Sequence, residues 1–188
     1  MTLDISTTER HHTAPPVQHD DPVRYAFGAS FLGEVLVATT GKGICAIFLG
    51  SDRDRLADRL REHFPLAQSS GNHDLDDQVA RVIAHIEAPT QSCEMPLDLR
   101  GSDFEIEVWQ ALRAIPPGKT LSYSGLARRI GATGGAKGAA KAVADACVGN
   151  KIAVLIPCHR ILRKDGSISG YRWGVQRKRA LLRREGAL

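Results

Sequence analysis

The feature that most constrains this 188-residue chain is an apolar run, residues 152–156, that stops at Pro157 and is followed at once by Cys158, His159 and Arg160. Consecutive apolar residues leave no polar face, so the run must be buried on all sides, and its brevity reads as a short interior strand. Pro157 fixes its own φ and donates no backbone hydrogen, so the strand is expected to end in a sharp turn. Cys158 then sits at a bend on the floor of a pocket, with a potential base and a fixed positive charge next in sequence. A free thiol is mostly protonated at neutral pH, and its thiolate becomes a strong nucleophile where such neighbours lower the pKa. Adjacent residues of a strand face opposite ways, however, so the pair alone fits a buried structural cysteine better than a nucleophile.

Charge distribution adds a second constraint. The formal net charge is +4, but residues 151–188 carry ten Lys or Arg against Asp165 and Glu185, a net +8, which leaves −4 for the remainder. A basic module on a slightly acidic one is the footprint of a phosphate-backbone binder, or simply a solvated basic surface. With 43% apolar residues the chain can build a packed core. No run of about eighteen apolar residues and no leader-like N-terminus is found, which leads to the expectation of a soluble, cytoplasmic protein, nuclear in a nucleated cell, with no membrane partner. Cys45, Cys93, Cys147 and Cys158 are scattered without a Cys-x-x-Cys pair, and His11 and His12 lie in a polar stretch. Reduced thiols and no metal are therefore expected, with Cys45 a small core residue.

Along the chain, residues 1–22 lack periodicity and read as a disordered tail. Residues 25–30, 33–39 and 43–49 read as an antiparallel meander. Ser51 is placed to cap a helix reaching Phe64, on which Leu56, Leu60 and Phe64 form one stripe. A second helix over 75–87 puts Val79, Val82, Ile83 and Ile86 on one face, and a short strand is expected at 97–99. Gly101 marks the boundary between domains at 23–100 and 101–188. Ser102 and Glu105 have capping-box spacing ahead of a helix that buries Phe104, Val108, Leu112 and Ile115. After Pro116-Pro117-Gly118, Ser122 caps a short helix to Ile130, and a Gly-rich connection leads into a helix over 136–148. Two short helices joined by a turn in a basic module suggest a helix-turn-helix. On the second helix Lys137 and Lys141 share a face, beside a stripe of Ala140, Val143 and Cys147, and the small residues 138–142 make it slender.

The string Asn150-Lys151-Ile152-Ala153-Val154-Leu155-Ile156-Pro157-Cys158-His159-Arg160-Ile161, with Gly170-Tyr171-Arg172-Trp173-Gly174 and Leu181-Leu182-Arg183-Arg184-Glu185-Gly186 downstream, resembles the O6-alkylguanine-DNA alkyltransferases. Upstream, residues 108–116 and Ser122-Tyr123 are similar to the same family. The resemblance implies an α+β fold: a small ribonuclease H-like N-terminal α/β module and a helical C-terminal domain with a helix-turn-helix of the winged-helix type. It implies a monomer that repairs double-stranded DNA through the minor groove by one irreversible transfer of an alkyl group from O6-alkylguanine, and from O4-methylthymine if accepted, to Cys158, without a cofactor.

The same resemblance distributes the roles. His159 takes the thiol proton through a water, Glu185 orients the imidazole, Tyr123 donates toward the purine, and Asn150 holds the turn ahead of the cysteine. Lys137, Ala139, Lys141, Ala142 and Arg160 are the expected DNA contacts. Lys141, with Lys137 as the alternative occupant, stands where most members carry an arginine that fills the gap in the base stack, and the preceding loop is about four residues longer than usual. Lysine keeps the charge but lacks a plane to stack on bases. Tyr171, Arg172 and Trp173 are expected in the pocket wall, with Trp173 taking volume from it so that methyl is accepted more readily than benzyl. The four-cysteine zinc module that joins some relatives to transcription is not found in this sequence.

Overall fold

A computed structural model of the protein describes residues 21–71, 73 and 75–188. The expected tail at 1–22 thus falls almost wholly outside the described residues. The chain is of mixed α and β type. Strands β1 (Arg24–Ser30), β2 (Gly33–Thr40) and β3 (Gly43–Gly50) form the antiparallel meander read from the sequence, and β4 (Gln68–Ser69) adds in parallel to β1, giving the order β3-β2-β1-β4.

Helix α1 (Arg53–His63) and helix α2 (Asp76–Glu87) cover opposite faces of this sheet. On β1, Tyr25 receives a hydrogen bond from Arg61 of α1, whereas a Cβ built on Gly28 would strike Ile83 and Val79 of α2. Positions 25 and 28 differ by an odd number, so they point to opposite sides. Burial on both faces explains why β2 and β3 read as unbroken apolar runs: Val35, Leu36, Val37, Ile44, Ile47 and Phe48 are all buried. The cap of α1 differs from expectation. Asp52, one residue later than Ser51, accepts the Arg55 N–H, and a carboxylate at a helix N-terminus also meets the helix dipole favourably.

The second half is helical: α3 (Asp103–Arg113), α4 (Tyr123–Arg129), α5 (Gly135–Gly149) and α6 (Val175–Arg184). The capping box at Ser102 and Glu105 is formed in both directions. Trp109 of α3 donates its indole N–H to the Ala146 carbonyl of α5 at 2.8 Å, and a Cβ on Gly149 would come within 2.4 Å of the Glu105 carboxylate, so α3 and the end of α5 meet as closely as glycine permits. Two tiny parallel strands, β5 (Leu121–Ser122) and β6 (Ile161–Leu162), tie the start of α4 to the segment just after Cys158.

The apolar run at 152–156 is buried except at the half-buried Leu155, and it is not a strand. Only Ile152 bridges, to Ile47, through hydrogen bonds from Ile47 N–H to Lys151 O and from Ala153 N–H to Ile47 O. The chain then coils through successive turns, with Val154 in the left-handed region at φ 69°. A β-branched residue rarely adopts that conformation, and Val154 does so while almost completely buried. Leu97 likewise contributes a single bridge, to Ile44, in place of the strand expected at 97–99. Both bridges fall on the outer edge of β3, which would otherwise expose unpaired backbone groups. Further ties between the halves are Arg177 to the Leu32 carbonyl and Arg184 to Glu87. Among the described residues no helix is long and apolar enough to cross a membrane.

Because both arms of the capping box are made, Ser102→Ala is expected to lower unfolding free energy by about 1 kcal/mol, with an unchanged dependence on urea concentration in equilibrium denaturation.

Candidate active site around Cys158

Cys158 opens a short 3₁₀ turn, Cys158–Arg160, immediately after Pro157, so the expected bend is present. The fully buried Asn150, at the end of α5, controls it. Its side-chain oxygen accepts the Ile152 N–H at 2.8 Å, and its amide donates to the Ile156 carbonyl at 3.0 Å and to Cys158 Sγ at 3.3 Å. Holding the turn was expected of Asn150; the bond to sulfur was not. That bond favours the thiolate, because an N–H donor stabilises negative charge. Burial nevertheless dominates and raises the Cys158 pKa, with Asn150 and the nearby Lys178 ammonium opposing it. The resting group is a thiol that needs a base.

His159, fully buried in the next position, lies 2.8 Å from the Glu185 carboxylate through Nε2. Burial pushes the His159 pKa down and outweighs the Glu185 contacts that raise it, so the ring is neutral at neutral pH. Burial would also raise Glu185, but hydrogen bonds from His159 and Arg160 outweigh it and hold the carboxyl at about 2. An ionised carboxylate only accepts, so Nε2 carries the imidazole hydrogen and Nδ1 keeps its lone pair. No described protein atom bonds that Nδ1.

Arg160 departs from expectation. It was placed among the DNA contacts, but it is buried and spends its guanidinium on Glu185, with Nη2 at 2.9 Å and Nε at 3.1 Å, and on the Ile115 carbonyl. Glu185 thus serves two donors, and Arg160 keeps it charged. Ala139 is corrected as well: it is buried inside the molecule, because helical spacing puts it with Val143 and Ala146. Lys137 and Lys141 are on the exposed side of α5, with Ala142 half-buried. The Lys141 ammonium is 2.7 Å from Asp145 one turn on.

A cavity of about 360 Å³ opens onto Cys158, lined by Tyr123, Ala144, Cys147, Val148, Gly170, Tyr171 and Arg172. Tyr123 reaches it because β5 pairs with β6, which sets the first residue of α4 beside the cysteine turn. Arg172 is clamped between the Val148 carbonyl and His63 of α1, each at 2.8 Å. Trp173 is not in the wall. It is buried behind Tyr171, ring centroids 5.1 Å apart, so it supports the pocket from outside and the volume argument against benzyl groups falls.

Two polar residues escaped the sequence reading. Lys178 of α6 is almost completely buried and donates to the Ile161 carbonyl at 2.6 Å and to Ser169 Oγ at 2.8 Å; Ser169 in turn lies 2.8 Å from the Tyr123 hydroxyl. Among ten Lys and Arg in the last 38 residues, nothing marks Lys178 except that it falls on the apolar face with Leu181 and Leu182. The four cysteines are all free thiols, and burial pushes Cys45 up to about 12, which keeps it protonated at neutral pH. Among the described residues no cluster of three or more His, Cys, Asp or Glu is placed to hold a metal ion.

Residues 103–187 match the model of the 6-O-methylguanine DNA methyltransferase DNA-binding domain. The chain is 49% identical over 164 residues to the bifunctional transcriptional activator/DNA repair enzyme Ada of Escherichia coli, covering 87% of this chain and 45% of that protein. It is 38% identical to a methylated-DNA–protein-cysteine methyltransferase of Salmonella typhimurium, over 72% of this chain and 79% of the relative. The chain therefore spans about half the length of the first of these relatives and most of the second. Among solved structures, the Mycobacterium tuberculosis OGT in complex with DNA superposes with a TM-score of 0.71 at 32% identity, covering 87% of this chain and 92% of that one.

Removing the shared carboxylate should be costly: Glu185→Ala leaves two buried donors without a partner and is expected to destabilise the fold by about 3–5 kcal/mol in chemical denaturation. Because Glu185 is held below its ordinary value of 4.5, its contribution is complete above that pH and is lost as pH falls toward about 2. An acid titration of stability should show this loss in the parent protein and lack it in Glu185→Ala.

Proposed function

Because this chain belongs to the O6-methylguanine DNA methyltransferase family, we propose that it repairs DNA by moving the alkyl group of O6-methylguanine, and of O4-methylthymine where accepted, onto its own Cys158. The observation that carries this reading is Cys158 Sγ on the wall of a cavity, bonded by Asn150 at 3.3 Å and followed by a His159–Glu185 pair at 2.8 Å. Inside a duplex the O6 substituent is out of reach of a pocket, so the nucleotide must be rotated out of the stack at a cost of a few kcal/mol.

In the pocket, the lone pair of His159 Nδ1 takes the thiol proton through one water, and Glu185 and Arg160 hold the ring and stabilise its positive charge. The thiolate then attacks the alkyl carbon in line. A sulfur–carbon bond forms, the carbon–O6 bond breaks, and the electron pair stays on the purine. Tyr123 returns a proton to the purine; burial raises its pKa, so the phenol is protonated and ready at neutral pH. The thioether product is stable to hydrolysis, so each molecule reacts once and needs no cofactor.

On the DNA side, the slender exposed face of α5 enters the minor groove, where small side chains permit close approach. Lys141, or Lys137, then faces the space left by the extruded base. The first must leave Asp145 to do so. The reading includes domains meeting near Gly101, a ribonuclease H-like N-terminal module, a winged-helix type of helix-turn-helix and action as a monomer. The β3-β2-β1-β4 sheet with helices on both faces and the packed pair α4 and α5 are consistent with it. Its place of work is where the genome lies, the cytoplasm of a bacterium or the nucleus of a eukaryote.

Incubation with a duplex bearing O6-methylguanine should raise the intact mass by one methyl group per molecule, mapped to the peptide that contains Cys158. Cys158→Ala should gain nothing, and a label on that variant would overturn the assignment. Lys141→Arg, which supplies a stacking plane, should speed transfer severalfold on duplex while leaving the rate on single-stranded oligonucleotide unchanged.

A further inference from the structure

The polar chain under the pocket has a direction, and the direction is chemically useful. Lys178 can only donate, having three N–H groups and no acceptor. Its hydrogens go to the Ile161 carbonyl at 2.6 Å and to Ser169 Oγ at 2.8 Å. With that lone pair taken, the Ser169 hydrogen has two possible destinations: the Tyr123 oxygen at 2.8 Å, or the Ile161 carbonyl at 3.5 Å, which Lys178 already engages. The shorter distance selects Tyr123. Tyr123 is then an acceptor in this bond, and its own hydrogen is left for the cavity it shares with Cys158.

We propose that Ser169 is a positioning residue that turns the Tyr123 phenolic hydrogen toward the substrate, with the buried Lys178 ammonium fixing the polarity of the chain. The inference rests on the alkyl-transfer reading above and adds to it the source and path of the returned proton. As the carbon–O6 bond breaks, Tyr123 gives its proton to the purine, takes the Ser169 hydrogen, and Ser169 takes one from Lys178. Lys178 ends neutral while His159 holds the thiol proton, so protons and charge balance.

The surroundings of Lys178 suit this task. Burial pulls it down to about 8, and the groups facing it are Cys158 and His159 of the 3₁₀ turn, Cys147 of α5 and Arg163 beyond β6. It is therefore charged at neutral pH yet able to give up a proton. When it is deprotonated, nothing compels Ser169 to point at Tyr123. The donating arm should accordingly weaken above about pH 8.

Single-turnover transfer rates on methylated duplex test the chain. Ser169→Ala is expected to slow transfer on the order of tenfold to a hundredfold with unchanged affinity for the duplex, and Ser169→Thr, which restores a hydroxyl, should recover most of the rate. Ser169→Cys keeps the side-chain size with a feeble hydrogen-bonding group and should behave like the alanine variant if that one folds poorly. Tyr123→Phe combined with Ser169→Ala should be no slower than Tyr123→Phe alone, because both remove one arm. The parent rate should fall as pH rises past about 8, and the Ser169→Ala profile should lack that fall. A parent-like rate in Ser169→Ala, or losses that multiply in the double variant, would overturn the proposal. Absence of any transfer by the parent protein would instead remove the alkyl-transfer reading itself.

Discussion

Everything at the site depends on one buried amide. Asn150 sits where α5 ends and the apolar segment begins, and its three polar contacts all fall within the next eight residues. A buried side-chain amide is costly unless satisfied, and this one is satisfied by holding a turn that would otherwise leave the Ile152 N–H unpaired. The same amide then touches sulfur. The coil of the backbone and the stabilisation of a thiolate are one interaction, so the geometry of the nucleophile cannot relax without breaking the fold around it.

Two proton-handling arms flank that sulfur, and the physics of each is opposite. On one side Glu185 is buried, but the hydrogen bonds it accepts from His159 and Arg160, with their charges added, outweigh the penalty of burial, which keeps Glu185 ionised and leaves His159 a lone pair to accept a proton. On the other side Lys178 is a buried cation with no carboxylate among the described residues set against it, so burial wins and loosens its proton. On the proposed mechanism one arm receives a proton and the other gives one. A displacement that consumes a thiol proton and returns one to the departing base needs both.

Much of this was legible in the residues. The meander, the capping box at Ser102 and Glu105, the Ser122 cap and the amphipathic helices follow from local patterns, and local patterns are what a linear reading resolves. Apart from the α1 cap and Ala139, which neighbours on the same helix decide, the failures share one cause, contacts distant in sequence. The run at 152–156 has the composition of a strand, but the edge of β3 offers it only one bridge before Asn150 turns it back. Arg160 reads as a DNA-facing charge until Glu185 folds over it, and Trp173 reads as pocket wall until Tyr171 comes between. Ser169 and Lys178 give no signal in a basic, glycine-punctuated stretch. They acquire meaning only when β5 and β6 bring Tyr123 to them.

The bridge between Ile47 and Ile152 carries a consequence for the order of assembly. The turn that bears the cysteine is suspended from a strand made much earlier in the chain, and its charge control comes from α6, made later. Contacts between such distant segments form late, after the loops joining them have closed. A growing polypeptide therefore carries the thiol before it carries the reactivity. The arrangement on which the proposed transfer relies is complete only once that tertiary closure is.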